Sequence, residues 1–452
     1  MNYSLTIREK DYQSLRASVF SMKDTEGAAY ILCGESKTDS ERRFLARSVI
    51  PLVPEDYLAR RQDFLSLSSA SYAKVTKIAK RENLSIIFAH SHPGGLLEYS
   101  PQDDREEPKL QEFFSSRVPN QLHGSLVLTE GGIIGRIFDH EFIPLTRIRI
   151  MGQRFAFHDR VRGHVQNLHF FDRQIRAFGS EVQTLLQSLH IGVVGAGGTG
   201  SAVIEQLARL GVGTLSIFDG DRFDVSNVNR VYGSHSSDIG QAKVHIAKQN
   251  VERIGLGTKL TVYDKHITRE AIAAQLRKCD IIFGCTDKEI PRSILIQLAL
   301  RYLIPVIDMG IVVKSEKNVI SDVVGRVTTL MPGEACLFCR QRITAERIRL
   351  ESLSERERES LVAEGYAPEL EIPNPAVVPF TSAIASLAVT ELLQRLTGFM
   401  GSERTSSEIL CFFDQARLRT NQSQPMNGCL CTKQSLWGHG DSTPFLDLSW
   451  PN

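Results

Sequence analysis

The chain has 452 residues, a formal net charge of +1, and hydrophobic and charged fractions of 42% and 23%. That length allows two to four domains around real cores, and the near-neutral charge leaves no global field to recruit nucleic acid or an anionic membrane surface. No apolar run approaches the ~20 residues of a membrane helix, and Met1-Asn2-Tyr3-Ser4 does not open a basic-then-apolar leader, so the cytoplasm is the expected location. There the eight cysteines are expected to be reduced, metal-bound or catalytic rather than disulfide-paired.

In chain order, the pattern predicts strands at Tyr3–Ile7 and at Ala28–Cys33, the latter ending at Gly34. A helix is predicted over Ser69–Lys80, where Tyr72, Val75 and Ile78 share one face. A short apolar strand, Leu84–Ala89, then runs directly into His90-Ser91-His92-Pro93. Two histidines one residue apart at a strand end point to the same side, so both imidazoles reach one cation. Asp103, arriving from the next loop, would add a third ligand; three protein ligands and an open fourth position suit a hydrolytic zinc. A His-x-His pair alone is more often structural, and it is Ser100 and Asp103 at this spacing that favour a metal. Leu126–Leu128 and Ile133–Phe138 read as closing hairpin strands around Glu130-Gly131-Gly132.

This segment resembles the JAMM (MPN-plus) isopeptidase signature: His-x-His-Pro, then Ser-x-x-Asp after a seven-residue gap, which His92 to Ser100 reproduces. The resemblance implies that His90, His92 and Asp103 are zinc ligands and that Ser100 supports a tetrahedral oxyanion. It also calls for an upstream glutamate as general base, matched by Glu26, although its spacing to Gly34 is one residue longer than the commonest pattern. By itself Glu26 also reads as a solvated loop acid.

Composition turns polar and basic through His158–Gly163, which places an N-terminal domain at 1–150 and a connector at 151–185. The connector carries Arg173-Gln174 and an amphipathic helix, Glu181–Leu189, which by itself is a linker helix. A second domain is expected over 186–431 and a tail over 432–452.

The second domain opens with a buried strand, Ile191–Val194, the glycine loop Gly195-Ala196-Gly197-Gly198-Thr199-Gly200, and a helix from Ser201 to Leu210. A strand, Leu215–Phe218, ends at Asp219. Strand, glycine turn, helix, strand and acid form a dinucleotide-style βαβ unit in which backbone amides meet phosphates and the acid meets a ribose hydroxyl. Downstream, Arg230 and Lys243 suit a site that neutralises a triphosphate while a carboxylate attacks its α-phosphorus, and Asp287 suits magnesium.

Five motifs in order resemble the ubiquitin-activating superfamily (the ThiF, MoeB and HesA group): Gly-x-Gly-Gly-x-Gly, Asp-x-Asp, Ser-Asn-x-x-Arg, Asp-Ile-Gly-x-x-Lys and Cys285-Thr286-Asp287. The resemblance implies that Gly195, Gly197, Gly198 and Gly200 line the phosphates and that Asp219, with Asp221 of the same motif, serves the nucleoside end. It further implies that Asn227, Arg230 and Lys243 contact phosphates, that Arg230 and Lys243 are catalytic, and that Asp287 carries magnesium. Arg173 corresponds to the arginine that reaches the other subunit's nucleotide in a homodimer.

Pro305–Asp308 is predicted to continue the parallel sheet, and Val323–Leu330 to form an antiparallel strand beyond it. Cys336/Cys339 and Cys429/Cys431 offer four thiolates to a structural zinc, or else remain unligated or redox-active. The family uses two Cys-x-x-Cys knuckles, so the Cys-x-Cys half is a departure. Ala345–Gly365, dense in Glu and Arg, reads as a solvated helix; in the family this is the crossover segment, which in several members carries a thioester cysteine. Here no cysteine lies between Cys339 and Cys411, and neither Cys285 nor Cys411 reads as a nucleophile. Thr381–Leu396 is an amphipathic helix, and the tail has no readable role.

The expected fold is therefore α/β: a JAMM-type zinc hydrolase domain followed by a Rossmann-like adenylation domain with a mostly parallel sheet. The expected function is bifunctional: ATP- and Mg2+-dependent adenylation of the C-terminal glycine of a ubiquitin-like or sulfur-carrier protein, and Zn2+-dependent cleavage after that glycine. Partners would be that carrier, a conjugating enzyme and a second copy of the chain, as in bacterial ubiquitination-like modules. The alternatives are sulfur-carrier activation without thioester transfer, and a catalytically idle JAMM-fold scaffold.

Overall fold

The computed structural model describes residues 1–161, 168–317, 319–354, 356–357, 360, 375–401 and 404–450. They fall into two units: Met1–Arg162 with Arg301–Leu303 and Gln434–Leu446, and Gly163–Leu300 with Ile304–Lys433 and Asp447–Asn452.

The first unit is built on strands β1 (Asn2–Arg8), β2 (Ala28–Lys37), β3 (Glu41–Pro51), β4 (Tyr57–Arg60), β5 (Leu65–Leu67), β6 (Ser85–Ser91), β7 (His123–Leu128), β8 (Ile133–Asp139), β9 (Glu141–Pro144), β10 (Arg147–Met151) and β11 (Phe155–Asp159). Nine form one mixed sheet in the order β11-β10-β1-β3-β2-β6-β7-β8-β9, and β4 pairs with β5 apart from it. Every residue of β6 is buried, as an apolar run inside a sheet covered on both faces requires. One face packs Leu5, Ile7, Phe44 and Ile87 against Leu15 and Val19 of helix α1 (Glu9–Val19). The other packs Tyr30, Ile86 and Phe88 against Val75 and Ala79 of α2 (Ser69–Glu82) and Phe114 of α3 (Pro101–Arg117).

Two local expectations are corrected. β2 does not end at Gly34 but continues to Lys37. A Cβ at Gly34 would lie 2.2 Å from the Gly438 carbonyl oxygen, so the glycine admits a second backbone rather than terminating a strand. Asp103 does not arrive from a loop: it sits in the first turn of α3, with Ser100 as N-cap and Pro101 opening the helix. The tail finds a place here too. Asp441 N–H donates to Glu35 O at 2.8 Å, Lys37 N–H donates to Asp441 Oδ2 at 2.8 Å, and the Arg8 guanidinium lies 4.3 Å above the Trp437 ring.

The second unit has helices α4 (Asp172–Phe178), α5 (Ser180–Ser188), α6 (Gly198–Arg209), α7 (Lys243–Ile254), α8 (Glu289–Arg301), α9 (Ala345–Ser352) and α10 (Val378–Thr397). Its strands are β12 (His190–Val194), β13 (Thr214–Phe218), β14 (Lys259–Tyr263), β15 (Ile281–Gly284), β16 (Val306–Glu316), β17 (Val319–Leu330), β18 (Glu408–Phe412) and β19 (Arg417–Asn421). They form one sheet, β14-β13-β12-β15-β16-β17-β18-β19, parallel from β14 to β16 and antiparallel from β16 to β19. The sheet is thus mixed rather than mostly parallel: β16 outruns its predicted end at Asp308 and turns back as a long hairpin with β17. From β12 the chain goes first to β13 on one side and later to β15 on the other, which opens a crevice at the carboxyl ends of β12 and β15.

Of the charged stretch Ala345–Gly365, α9 is described, whereas 355, 358–359 and 361–365 lie outside the described residues, as do 162–167 of the predicted connector. Among the described residues no helix is long and apolar enough to cross a membrane.

Gly34→Ala should destabilise the first unit by about 1–3 kcal/mol through overpacking against Gly438. Gly131→Ala, whose Cβ would meet nothing within 4 Å, should leave it unchanged; urea unfolding of the two variants checks this.

Candidate functional sites

In the first unit, β6 delivers His90 and the residue after its end delivers His92, and α3 brings Asp103 to meet them. His90 Nε2 and His92 Nε2 lie 3.1 Å apart, and the Asp103 oxygens lie 3.3 Å from the first and 3.4 Å from the second. The nitrogen–nitrogen separation is close to the ~3.3 Å edge of a tetrahedron of ligands each ~2.05 Å from one zinc ion. Asp103 meets the two rings through different oxygens, Oδ1 towards His90 and Oδ2 towards His92, and one ligand atom from each side chain lies within 4.8 Å of the others. His92 Nδ1 faces the Leu96 carbonyl at 3.0 Å, which holds that nitrogen as the donor and leaves Nε2 free to ligate. Burial pushes the Asp103 carboxyl up, but the neighbouring imidazoles of His90 and His92 and the Ser100 amide outweigh it and keep it ionised far below the usual range.

Glu26 precedes β2 and is 8% exposed, with Oε1 3.9 Å from His92 Nε2, so it is not a solvated loop acid. Burial pushes its carboxyl up to about 7, where a group can both take and return a proton near neutrality. Ser100 caps α3: its Oγ accepts Asp103 N–H at 3.2 Å, and Asp103 Oδ2 accepts Ser100 N–H at 2.7 Å. The cap uses Oγ as an acceptor and leaves its O–H available to donate.

In the second unit the glycine loop joins β12 to α6. Gly195 has φ +98, and a Cβ there would sit 2.6 Å from the Cys285 carbonyl oxygen; at Gly200 it would sit 1.9 Å from the Gly195 oxygen. Gly197 caps α6 without a side-chain partner, and a Cβ on it would meet nothing within 4 Å. The first-turn amides of α6 are therefore approachable by an anion. Arg230 packs its stem over Gly198 and donates from Nη1 to the Ser226 carbonyl.

Asp219, at the end of β13, is 8% exposed and clamps the loop: Oδ2 accepts Ala196 N–H at 2.7 Å and Oδ1 accepts Asp221 N–H at 2.8 Å. Burial raises its carboxyl above the ordinary value. Asp221 pairs with Lys243 Nζ at 2.8 Å, and Asn227 is buried in the turn Val225–Asn227, its Oδ1 accepting Asp224 N–H at 3.3 Å. Asp287 is exposed in the loop after β15, whose preceding residue Cys285 touches the glycine loop. Arg173 is exposed on α4. The fold thus places the loop glycines, Arg230 and the Cys285–Asp287 loop around one crevice, and gives Asp219, Asp221 and Lys243 an internal network at its edge.

The four paired cysteines converge as well. Sγ of Cys336 lies 3.8 Å from Cys339 and 3.5 Å from Cys429, and Cys339 lies 3.5 Å from Cys431, with no disulfide among the four. A tetrahedral zinc with ~2.3 Å bonds needs edges of ~3.8 Å, close to the three separations above, and all four Sγ atoms lie within 4.8 Å of one another. A hydrogen bond from Cys431 pulls the Cys336 thiol down, and the same contact pushes the Cys431 thiol up, so the two thiols share one proton between them.

The ThiF family profile matches residues 171–431. The chain belongs to the ThiF family. Molybdopterin-synthase adenylyltransferase of Escherichia coli strain K12 is 28% identical over 183 residues, 40% of this chain and 71% of that protein. The adenylyltransferase and sulfurtransferase UBA4 of Lodderomyces elongisporus is 36% identical over 128 residues, 28% of this chain and 26% of that protein, so only about a quarter of that relative is spanned. Among solved structures, E. coli MccB aligns over 61% of this chain and 75% of its own at 16% identity and a TM-score of 0.48, too slight a likeness to add to the profile. The profile match leaves residues 1–170 outside it.

In this ThiF-family chain the sequence pattern did not single out Glu107 and Arg136 beside His90, nor Asp308 with Arg326 at 2.6 Å and Arg292 at 3.5 Å. Glu107 follows Asp103 by four residues and so shares its helix face, a signal available once α3 is recognised. Asp308 ends a predicted strand, but its arginines come from α8 and β17 and only the sheet brings them together.

Metal analysis of the purified chain should find two zinc ions. His92→Ala should lose one and Cys339→Ser the other, each keeping its neighbour; a variant that retained both would remove the assignment it tests.

Proposed function

We propose that the second unit adenylates a protein carboxyl terminus with ATP and Mg2+, and that the first is a JAMM-type zinc peptidase acting on the same kind of end. The observation that carries the adenylation is the crevice itself: uncapped α6 amides, Arg230 over Gly198, and the Asp287 loop, inside a ThiF-family domain. In this reading a substrate carboxylate oxygen bonds to the α-phosphorus of ATP, the bond from that phosphorus to the α–β bridging oxygen breaks, and acyl-AMP and pyrophosphate result. The loop amides and Arg230 hold the phosphates, and Asp287 holds the magnesium. Lys243 must exchange Asp221 for phosphate, a small demand because Asp221 is half exposed and such pairs contribute only about 0–1 kcal/mol. Asp219 secures the loop and keeps lone pairs for a ribose hydroxyl.

The peptidase reading is supported by the convergence of His90, His92 and Asp103, with one ligand atom from each within 4.8 Å of the others and Glu26 beside them. A zinc ion bound there would acidify a water and polarise the scissile carbonyl. Glu26 takes that water's proton and returns it to the departing amine, while the Ser100 O–H donates to the oxygen that gains charge. The substrate class is a ubiquitin-like or sulfur-carrier protein ending in glycine; a homodimer using Arg173 in trans and a conjugating partner complete the proposal.

One observation favours sulfur-carrier activation over thioester transfer as the next step. Burial raises the thiols of Cys285 and Cys411, the wrong direction for a nucleophile. The names of the two relatives, a molybdopterin-synthase adenylyltransferase and an adenylyltransferase and sulfurtransferase, point the same way. Mass spectrometry of the chain with ATP and a glycine-ended carrier should show acyl-adenylate and no protein thioester.

Arg230→Ala and Lys243→Ala should each reduce ATP–pyrophosphate exchange by at least ~10^2-fold and leave cleavage of a carrier fusion intact; His92→Ala should do the converse. A His92→Ala chain that still cleaved would end the peptidase reading.

Cleavage requires Glu26 as a carboxylate, so kcat/KM should fall as the pH drops through its titration. That acid limb lies at or below about 7, since a bound cation lowers a neighbouring carboxyl. Glu26→Gln should cost ~10^2–10^4-fold and erase the limb; an unchanged profile would exclude Glu26 as the base.

A further inference from the structure

Three hydrogen bonds converge on one oxygen of Glu107 and none on the other. Oε2 accepts from Arg136 Nε at 3.0 Å, Arg136 Nη2 at 2.7 Å and Ser125 Oγ at 2.6 Å. Oε1 has no hydrogen-bond partner and faces His90 Nδ1 at 3.8 Å, an atom equally without one. Both side chains are buried, at 4% and 2% exposure.

The arrangement follows from helix period and sheet order. Asp103 and Glu107 stand one turn apart on α3, so successive turns present a carboxylate to opposite edges of the His90 ring, Asp103 Oδ1 to Nε2 at 3.3 Å and Glu107 Oε1 to Nδ1. Arg136, on β8, is held in turn by Asp104 Oδ1 at 2.5 Å and by the rings of Tyr99 at 3.6 Å and Phe142 at 3.8 Å. A carboxylate this deep needs its charge matched and its lone pairs used. Arg136 supplies the charge and Ser125 a further donor, both to Oε2. For Oε1 the facing donor is the Nδ1–H of His90.

We propose that Glu107 is a positioning residue of the metal centre: its Oε1 takes the hydrogen bond of His90 Nδ1–H, so that Nε2 is the unprotonated nitrogen presented to zinc. The inference rests on the reading of His90, His92 and Asp103 as a metal site and adds to it how the site is supported. The two histidines reach the same tautomer by different acceptors, His92 through the Leu96 carbonyl and His90 through a carboxylate. The carboxylate, unlike the carbonyl, also raises the basicity of its ligand.

Glu107→Gln separates this role from packing. Arg136 and Ser125 donate, so the amide must turn its oxygen to them and its NH2 to His90. A donor then faces Nδ1 and favours the tautomer protonated on Nε2, which cannot ligate. The test is zinc affinity of the full chain by competition with a chromophoric chelator, with His92→Ala defining which zinc belongs to this site. Glu107→Gln should bind that zinc ~10–100-fold more weakly, and Glu107→Asp, which keeps the charge, should recover part of the loss. In the zinc-loaded wild type, 15N–1H spectra should show the His90 Nδ1 proton hydrogen-bonded and in slow exchange, a measurement that stands even if Glu107→Gln fails to fold. Wild-type affinity in Glu107→Gln, or a His90 Nδ1 proton exchanging freely with water, would overturn the inference while His92→Ala still loses its zinc. Equal zinc in wild type and His92→Ala would instead overturn the metal reading, and the inference with it.

Discussion

A carboxylate taken out of water must find donors for its oxygens or it costs several kcal/mol, and both candidate sites are built around acids that obey this. Asp219 finds the Ala196 and Asp221 amides. In doing so it fixes the path of the glycine loop, since the first of those amides lies inside it. Asp103 finds the Ser100 amide and faces the two imidazoles, which sets the start of α3 against the end of β6. Glu107 finds Arg136 and Ser125. Each acid is thus a structural joint as well as a chemical group, and the geometry around it is set by the same hydrogen bonds that permit its burial.

The two units reach this in different sheets. In the second, neighbouring parallel strands β12 and β15 take their connections to opposite sides, and a crevice between their ends leads to the α6 amides. In the first, β6 lies antiparallel to β2 and parallel to β7, and its end carries the two histidines directly. His90 and His92 alternate with Ser91, whose Oγ instead accepts Gly27 N–H at 2.9 Å and donates to Val19 O at 2.8 Å. The period of two sends the imidazoles to one face and the hydroxyl to the other, so Ser91 secures the loop that carries Glu26 while its neighbours face Asp103.

On the proposed reading the two chemistries are complementary. Hydrolysis after a terminal glycine exposes a carboxylate, and adenylation consumes one. A chain bearing both could prepare and activate the same end of the same small protein. The raised thiols of Cys285 and Cys411 keep them from competing for the acyl group, and the Cys336, Cys339, Cys429 and Cys431 cluster ties together two segments about ninety residues apart.

Much of this was legible in the residues alone, because short-range rules govern it. The buried strands, the glycine turn, Asp219 at a strand end and the His-x-His pair follow from periodicity and local spacing, and the family match over 171–431 agrees with the motif order. What the sequence pattern misplaced was set by contacts distant in the chain. Gly34 resembled a strand terminator until the backbone of Gly438 was seen against it; β16 ran past Asp308 because β17 pairs along its whole length. Asp103 resembled a loop residue because Pro108 interrupts the α3 pattern. The approach of Glu107 and Arg136 to His90 was unreadable beforehand for the same physical reason: a set of contacts across α3, β6 and β8 has no period in the sequence. It exists only when burial forces each charged group to find its partner in three dimensions.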